Sequence, residues 1–383
     1  MKKHILFSLT LLSLGLAAYA QDFNLNNDAP LDPPYRDLVN PKIVKRKSNS
    51  NKGLNGKNDI DMVISFQTEV KSQGSRGTCS IFSAVALLEA MLVKSGEVDN
   101  TLDLSEEWVE YLAMKDRTED GYWAYRSWNN ISVSGIALEE DWNYLGETWE
   151  DLDYSDLSKE RCEKVTSTKQ KSCLLAHRNP NLLMASSQEL KNESSDLFDL
   201  EFLNIRSSAR NFKREHLNGK LMAASAYSSN YQVYNTNDIK NLLDQSVPMV
   251  MSVEFYYGAW NHRKADSLGI GRDSQAWSDG VVGYPEPNSV DAFESRKSAN
   301  RAGHSIVVVG YDDNKIVKTK VKMRDGTVKE FTYKGVYYFK NSWGTSGFGV
   351  DMMIEGSQRP GYGMMTQKYA HEHGSFYRLQ VKN

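Results

Sequence analysis

Cysteine is scarce in this 383-residue chain, which contains only Cys79, Cys162 and Cys173. So few cysteines exclude a small scaffold stabilised by many disulfides, and they cannot form a four-cysteine zinc site. Cys162 and Cys173 are eleven positions apart, a spacing that favours one local disulfide if the protein is exported. The alternatives are two reduced thiols or pairing with another molecule.

The chain also lacks an excess of positive charge. It has 46 lysine and arginine residues against 49 aspartate and glutamate residues, which gives a net charge of −3. Nucleic-acid-binding proteins usually carry a clustered basic surplus, so we expect no nucleic-acid partner. Apolar residues make up 40% of the chain and charged residues 25%, a balance typical of globular proteins rather than of disordered or coiled-coil proteins.

Long hydrophobic runs are absent except at the N terminus. There Lys2 and Lys3 precede the apolar residues 5–16, and the small residues Ala18 and Ala20 follow. The run is shorter than the roughly 20 residues that cross a membrane, and the whole pattern is typical of a cleaved signal peptide. We therefore predict a bacterial signal peptide over residues 1–20, export to the periplasm or the medium, and no membrane attachment after cleavage.

Composition divides the remaining chain into segments. Residues 21–60 are polar and rich in proline, lysine, asparagine and serine, which predicts a disordered leader or a short pro-segment. Residues 61–383 have the texture of a globular domain. Within it, residues from about 158 to 229 are polar and charged without a clear period, and we interpret them as an insertion that carries short helices.

Helical patterns come before strand patterns along the chain. Apolar spacing and capping residues predict helices over 79–94, 104–114 with Ser105 as N-cap, 121–130, and 238–245 capped by Thr236 or Asn237. Strand patterns follow at 249–255, 305–311 and 335–340, and a hairpin over 315–334 centres on a type I′ turn at Asp325-Gly326. This order predicts an α+β fold with two subdomains and a cleft between them.

Four residues together predict a catalytic site built on a cysteine nucleophile. Cys79 begins the first predicted helix, whose N-terminus carries partial positive charge and favours the reactive thiolate. His304 opens a buried strand and is the best of seven histidines to exchange protons with that thiol. Asn341 ends another strand and is suited to orient the imidazole, while Gln73 is suited to donate to an oxyanion.

Three motifs in this order resemble the papain-like (cathepsin-like) cysteine peptidases. They are QGSRGTC at 73–79, GH at 303–304 before a hydrophobic strand, and KNSWGT at 340–345. The resemblance covers about residues 61–157 and 230–383. It implies a papain-like two-subdomain fold, with a helical left part, a strand-rich, barrel-like right part and the active site in the cleft between them.

The resemblance also implies roles for individual residues. Cys79 becomes the nucleophile, His304 the general base and acid, Asn341 the residue that orients His304, and Gln73 part of the oxyanion hole. Gly121 and Tyr122 fall where the family binds substrate backbone in an extended pose, and Trp343 would shield the bond between His304 and Asn341.

The implied function is an exported cysteine endopeptidase that hydrolyses peptide bonds through a Cys79 thioester. It would act on polypeptide substrates as a monomer, with no cofactor and no metal. A peptide ligase or transamidase and an exopeptidase use the same nucleophile and stay open, as does a peptide-binding pseudoenzyme.

Three positions depart from the family pattern. Arg76 stands where the family usually has cysteine, so the family's core disulfide cannot form; Ser80 replaces an aromatic residue and Asp120 a glycine. We interpret Arg76 as a solvated residue, with recognition of acidic substrate groups as the alternative. Cys79 and His304 are 225 positions apart, against roughly 130–150 in the family, and the insertion accounts for the excess.

Two further patterns have simple explanations. In His371-Glu372-His373, alternation along a strand would place both histidines on one face, but two ligands do not make a metal site. The segment 361–365 is either ordinary core or part of the specificity pocket.

Overall fold

The computed structural model describes residues 56–114, 120–144, 163, 200–218 and 231–379. The predicted signal peptide, most of the predicted leader, and both Cys162 and Cys173 lie outside the described residues. None of the helices in the described ranges is long and apolar enough to cross a membrane.

Helices dominate the first part of the described chain and recur as short segments later. In chain order they are α1 (Ile60–Ser65), α2 (Cys79–Lys94), α3 (Glu106–Met114), α4 (Ala124–Ser134), α5 (Leu200–Phe212), α6 (Thr236–Asp244), α7 (Lys264–Ser267), α8 (Ser274–Ser278), α9 (Val290–Glu294) and α10 (Gln367–His373). A π-helical turn over Lys213–Leu217 continues α5, and a 3-10 turn over Ser298–Asn300 precedes the longest strand.

The strands form one large sheet and one small pair. They are β1 (Gln232–Val233), β2 (Met249–Phe255), β3 (Val281–Val282), β4 (Ala302–Lys322), β5 (Val328–Lys340), β6 (Met353–Ile354), β7 (Ser357–Gln358), β8 (Tyr362–Thr366) and β9 (Gly374–Tyr377). The large sheet has the order β1-β9-β2-β4-β5-β8-β3, and β6 pairs with β7. Its pairings are antiparallel except that of β3 with β8.

Strands β2 and β4 separate two hydrophobic cores. Because side chains alternate between the faces of a strand, Val250 and its partner Val307 lie in the core shared with the helices. Met251 and its partner Ile306 lie in the core of the strand-rich part. This arrangement confirms the predicted α+β class with a helical and a strand-rich subdomain.

Two of the predicted helices agree closely with the structure. Helix α2 has the predicted bounds, and Ser105 accepts a hydrogen bond from Trp108 N at 3.0 Å as the cap of α3. Helix α4 begins three residues later than predicted, because Gly121 has a φ of 97° that no helical residue adopts. The predicted cap of α6 is wrong, since Asn235 accepts from Asn237 N and Thr236 lies inside the helix.

The long hairpin of β4 and β5 occupies the region where a hairpin was predicted, but the predicted turn type is wrong. A type I′ turn needs positive φ at both central residues, and only Gly326 has it, at 84°. Met323 accepts from Gly326 N and donates to Thr327 O, so three residues form the loop. This is a three-residue hairpin loop, one residue longer than a type I′ turn, and its last residue is a glycine in the left-handed conformation.

The segment from His371 to His373 is helical, so its predicted strand geometry is wrong. It ends α10, where His371 Nε2 lies 2.8 Å from Tyr337 Oη and His373 Nδ1 lies 3.2 Å from Glu254. Within the described ranges, no group of three potential metal ligands is found. The segment 361–365 contributes β8, whose Met365 is fully buried in the strand-rich core.

The described end of the predicted insertion packs on the helical part. Helix α5 lies against the end of α4, where a Cβ added to Gly135 would stand 2.0 Å from Ala209 O. Lys213 Nζ donates to Val133 O at 2.8 Å on the same side. The glycine therefore permits a close approach of two backbones.

Candidate active site

Cys79 is the first residue of α2. Thr78 precedes it as N-cap, and Thr78 O accepts hydrogen bonds from Ile81 N and Phe82 N in the first turn. Cys79 is fully buried and forms no disulfide with any described residue. The N–H groups at a helix N-terminus stabilise negative charge, so this position favours a thiolate.

His304 lies on β4, where it pairs with Val253 in the centre of the large sheet. Its Nε2 is 2.8 Å from Asn341 Oδ1, and the same Oδ1 lies 2.8 Å from Ser342 N. A backbone N–H only donates, so the Asn341 atom that receives it must be the oxygen. Nε2 of His304 therefore carries a proton and donates it to Asn341.

This bond leaves Nδ1 as the basic nitrogen of a neutral His304. Nδ1 is buried and has no hydrogen-bond partner among the described residues, while α2, which begins at Cys79, packs against β4. Burial lowers the pKa of His304 from 6.5 to about 4, against the smaller raising effect of the bond to Asn341. An imidazolium in this site therefore needs a compensating negative charge, which a thiolate would supply.

Aromatic rings enclose the imidazole of His304. The Trp343 ring stacks on it at 4.5 Å between centroids, and Trp260 and Phe255 approach edge-on at 5.3 and 6.1 Å. His304 and Asn341 are both buried beside these rings. Trp343 was recognised from the sequence, whereas Trp260 and Phe255 were not; the pairing of Phe255 with Ala302, two residues from His304, places it beside the imidazole.

Gln73 connects the segment before Cys79 to the segment after Asn341. Gln73 N donates to Ser342 O at 2.9 Å, and Gln73 Oε1 accepts from Ser342 Oγ at 2.8 Å. Gln73 Nε2 donates to Arg76 O at 2.8 Å, which uses one of its two hydrogens. The loop before α2 and the end of β5 are thus held together at the site.

The loop that contains Gly121 and Tyr122 lies beside the start of α2. Tyr122 N donates to Ser80 Oγ at 3.2 Å, so the residue after Cys79 binds the residue after Gly121. The left-handed backbone at Gly121 turns the chain toward α4. The structure therefore brings these two residues to the same region as Cys79.

Both interpretations of Arg76 are wrong. Its side chain is 2% exposed, so it is neither solvated nor available to substrate. Its guanidinium pairs with Glu107 at 3.4 Å, with Asp120 at 3.2 Å, and with Glu110. The sequence signal was the acidic spacing of Glu107 and Glu110 on one face of α3, which was not connected with Arg76.

The candidate catalytic residues are buried. Cys79 and Gln73 are 0% exposed and His304 is 2% exposed.

Comparison with known proteins supports a peptidase relationship. No protein-family model matches the chain. Over 136 residues, 33% of this chain, it is 28% identical to cysteine proteinase 1 of Entamoeba histolytica, of which it spans 43%. The resemblance to cysteine peptidases is confirmed.

Solved structures with similar folds are also papain-like proteases. Xylellain, a cysteine protease from Xylella fastidiosa, matches with a TM-score of 0.45 and 15% identity, over 93% of this chain and 98% of its own. Digestive procathepsin L 3 of Tenebrio molitor larval midgut matches at 0.42 and 17%, over 91% and 76%. Bromelain from Ananas comosus matches at 0.40 and 15%, over 85% and 100%. Because these TM-scores are below 0.5, neither the site nor the activity of this chain rests on them.

Proposed function

We propose that this protein is an exported cysteine endopeptidase. The observation that carries the proposal is the double acceptance by Asn341 Oδ1, which makes Nδ1 the basic nitrogen of His304. That nitrogen lies on the strand against which the helix of Cys79 packs. A thiol at a helix N-terminus beside an oriented imidazole is the arrangement that activates a cysteine nucleophile.

The reaction would begin with transfer of the Cys79 proton to Nδ1 of His304. The sulfur then attacks the peptide carbonyl carbon, and the carbonyl oxygen becomes an anion held by Gln73 Nε2 and the Cys79 backbone N–H. The C–N bond breaks as the imidazolium gives its proton to the leaving amine. The product is a thioester on Cys79 and a new N-terminus.

Water would complete the cycle. Nδ1 of His304 takes a proton from water as its oxygen attacks the thioester carbon, and the C–S bond breaks. The acid product leaves, and the Cys79 thiolate and the imidazolium remain for the next cycle. Trp343 would keep bulk water from the bond that holds Nε2 in place during both steps.

The pattern of residues 1–20 supports export, and residues 21–60 would be a leader or short pro-segment before a peptidase domain over 61–383. The last residues of this leader already belong to the fold, since α1 begins at Ile60 and buried Asn58 accepts from Tyr311 N. We also propose that the protein acts on polypeptide substrates as a monomer. Gly121 and Tyr122 would bind the substrate backbone.

Peptide hydrolysis and covalent labelling test this proposal together. We expect the purified protein to cleave internal bonds of an unfolded polypeptide, and an epoxysuccinyl probe to add once per chain in the intact mass. Cys79→Ala should abolish both. The matched control, Cys162→Ala with Cys173→Ala, removes the other two cysteines and should retain both. Undiminished hydrolysis by Cys79→Ala would refute the proposed function.

A further inference from the structure

The three residues that depart from the family pattern lie together in the structure. Arg76 and Ser80 flank Cys79 in sequence, and Asp120 precedes Gly121. Arg76 Nη2 is 3.2 Å from Asp120 Oδ1, and Ser80 Oγ accepts from Tyr122 N at 3.2 Å. The chain on either side of Gly121 is therefore bound to the chain on either side of Cys79.

Arg76 is the centre of this connection. Besides Asp120, its guanidinium pairs with Glu107 and Glu110 of α3, and each of these side chains is at most 5% exposed. Charged groups this far from water are stable only when they are paired, so the guanidinium restricts all three carboxylates to one geometry. A lysine could not reproduce it, because its ammonium lacks the planar fork of donors.

The cluster contains more acidic groups than basic ones. One guanidinium against three ionised carboxylates would leave a net charge of −2 in a buried site. Burial raises the pKa of Glu110 well above 4.5, and its hydrogen bond with Asp120 raises it further, against the lowering effect of Arg76. Burial therefore favours the protonated form of Glu110, and a proton there would reduce the net charge of the cluster to −1.

Tyr144 provides a second connection to the same loop. Its hydroxyl donates to Gln73 O at 2.9 Å and lies 2.8 Å from Thr78 Oγ1. The Arg76 guanidinium lies 5.8 Å from the centre of its ring. The backbone of the loop 73–78 is thus fixed from the side of Arg76, while Gln73 is fixed from the side of Ser342.

We propose that Arg76 is a positioning residue that joins the loop of Gln73 and Cys79 to the loop of Gly121 through its ion pair with Asp120. This ionic connection is made by the residue that stands where the resembled family usually has cysteine. It rests on the proposed peptidase function, since its purpose is to keep the oxyanion donors aligned with the substrate backbone.

Substitution of Arg76 tests the proposal through two readouts. We expect Arg76→Lys and Arg76→Met to raise KM and lower kcat on a peptide substrate, together by about 100-fold in kcat/KM, because a small misplacement of a reacting group costs that much. Hydrogen exchange should increase at residues 73–79 and 120–123 and stay unchanged at 367–373. Glu110→Gln, which mimics the protonated carboxyl group, should keep kcat/KM within about twofold.

Lys71→Met is the matched control for a purely structural role. Lys71 is also part-buried and pairs with Glu89, Asp103 and Glu106, but it contacts neither Asp120 nor Gly121. If the Arg76 variants lower the melting temperature as Lys71→Met does, yet leave KM and the exchange at 120–123 unchanged, the positioning role is refuted. If the unsubstituted protein hydrolyses no peptide, the proposed function fails, while hydrogen exchange still decides whether Arg76 joins the two loops.

Discussion

At the scale of single residues, one oxygen atom determines the chemistry of the site. Asn341 Oδ1 accepts from both Ser342 N and His304 Nε2, and this fixes the amide orientation and the imidazole tautomer together. The role of Asn341 was implied from the sequence by its place at the end of a strand. The second bond, from Ser342, was not predictable, because it depends on the local turn of the chain after β5.

Removing this oxygen should impair catalysis more than stability. In Asn341→Ala, Nε2 of His304 loses its acceptor, and the imidazole loses the bond that fixes its orientation. A lost buried hydrogen bond is worth about 1–3 kcal/mol, so we expect kcat/KM to fall roughly 10- to 100-fold. Asn300→Ala, which removes an amide that bonds Glu294, is the control and should leave it unchanged. Equal activity of the two variants would contradict the orienting role.

The buried imidazole should also make stability depend on pH. The folded pKa of His304 is about 4 and its ordinary value is 6.5, so the unfolded chain binds the proton first as pH falls. Stability is therefore fully present above about 6.5 and decreases as pH falls to 4, by roughly 3 kcal/mol. Urea unfolding of Cys79→Ala should show this decrease, and Cys79→Ala with His304→Gln should lack it. An identical pH dependence in both variants would show that His304 is not its source.

At the scale of helices and strands, the sequence predicted elements with local end signals. It did not predict elements whose position depends on contact with distant residues. Helix α2 was predicted with its true bounds because the apolar spacing and the glycine after it mark both ends. Helix α5 was not located within the insertion, since its position depends on the contact between Ala209 and Gly135. That contact joins residues far apart in the sequence, so no local sequence pattern predicts it.

Alanine at Gly135 should therefore loosen α5. Gly135 and Gly96 have similar left-handed φ values of 82° and 75°, but a Cβ at Gly96 meets nothing within 4 Å. Gly96→Ala should cost about 1 kcal/mol from backbone strain alone. Gly135→Ala should cost roughly 2 kcal/mol more and expose residues 200–212 to hydrogen exchange, because the backbone of Ala209 must move. Equal urea midpoints for the two variants would contradict the close packing of α5.

At the scale of the whole molecule, a buried polar chain joins the two subdomains behind the site. Lys340 Nζ of β5 donates to Thr68 O at 2.8 Å, and Thr68 Oγ1 donates to Glu89 of α2 at 2.5 Å. The class and the order of helices and strands were predictable from hydrophobic periodicity. This connection was not, because it depends on how the two cores meet.

Removing the charge of Glu89 from these buried hydrogen bonds should lower the free energy of unfolding of the whole protein. Glu89 is fully buried and also accepts from Lys71 and from Leu104 N, so Glu89→Gln should cost about 3 kcal/mol. The exposed pair of Lys57 and Glu355 provides the control, and Lys57→Gln should cost less than about 1 kcal/mol. Urea unfolding measures both. If the two variants lose equal stability, these buried hydrogen bonds do not hold the subdomains together.

The pH dependence of Cys79 alkylation tests the central claim most directly. An ordinary thiol has a pKa near 8.5, and only its thiolate reacts with iodoacetamide. If the start of α2 and His304 stabilise the thiolate, we expect Cys79 to react at pH 5–7, and His304→Ala to shift the reaction toward pH 8.5. A rate that follows an ordinary thiol titration in both proteins would contradict the proposed pairing of Cys79 with His304.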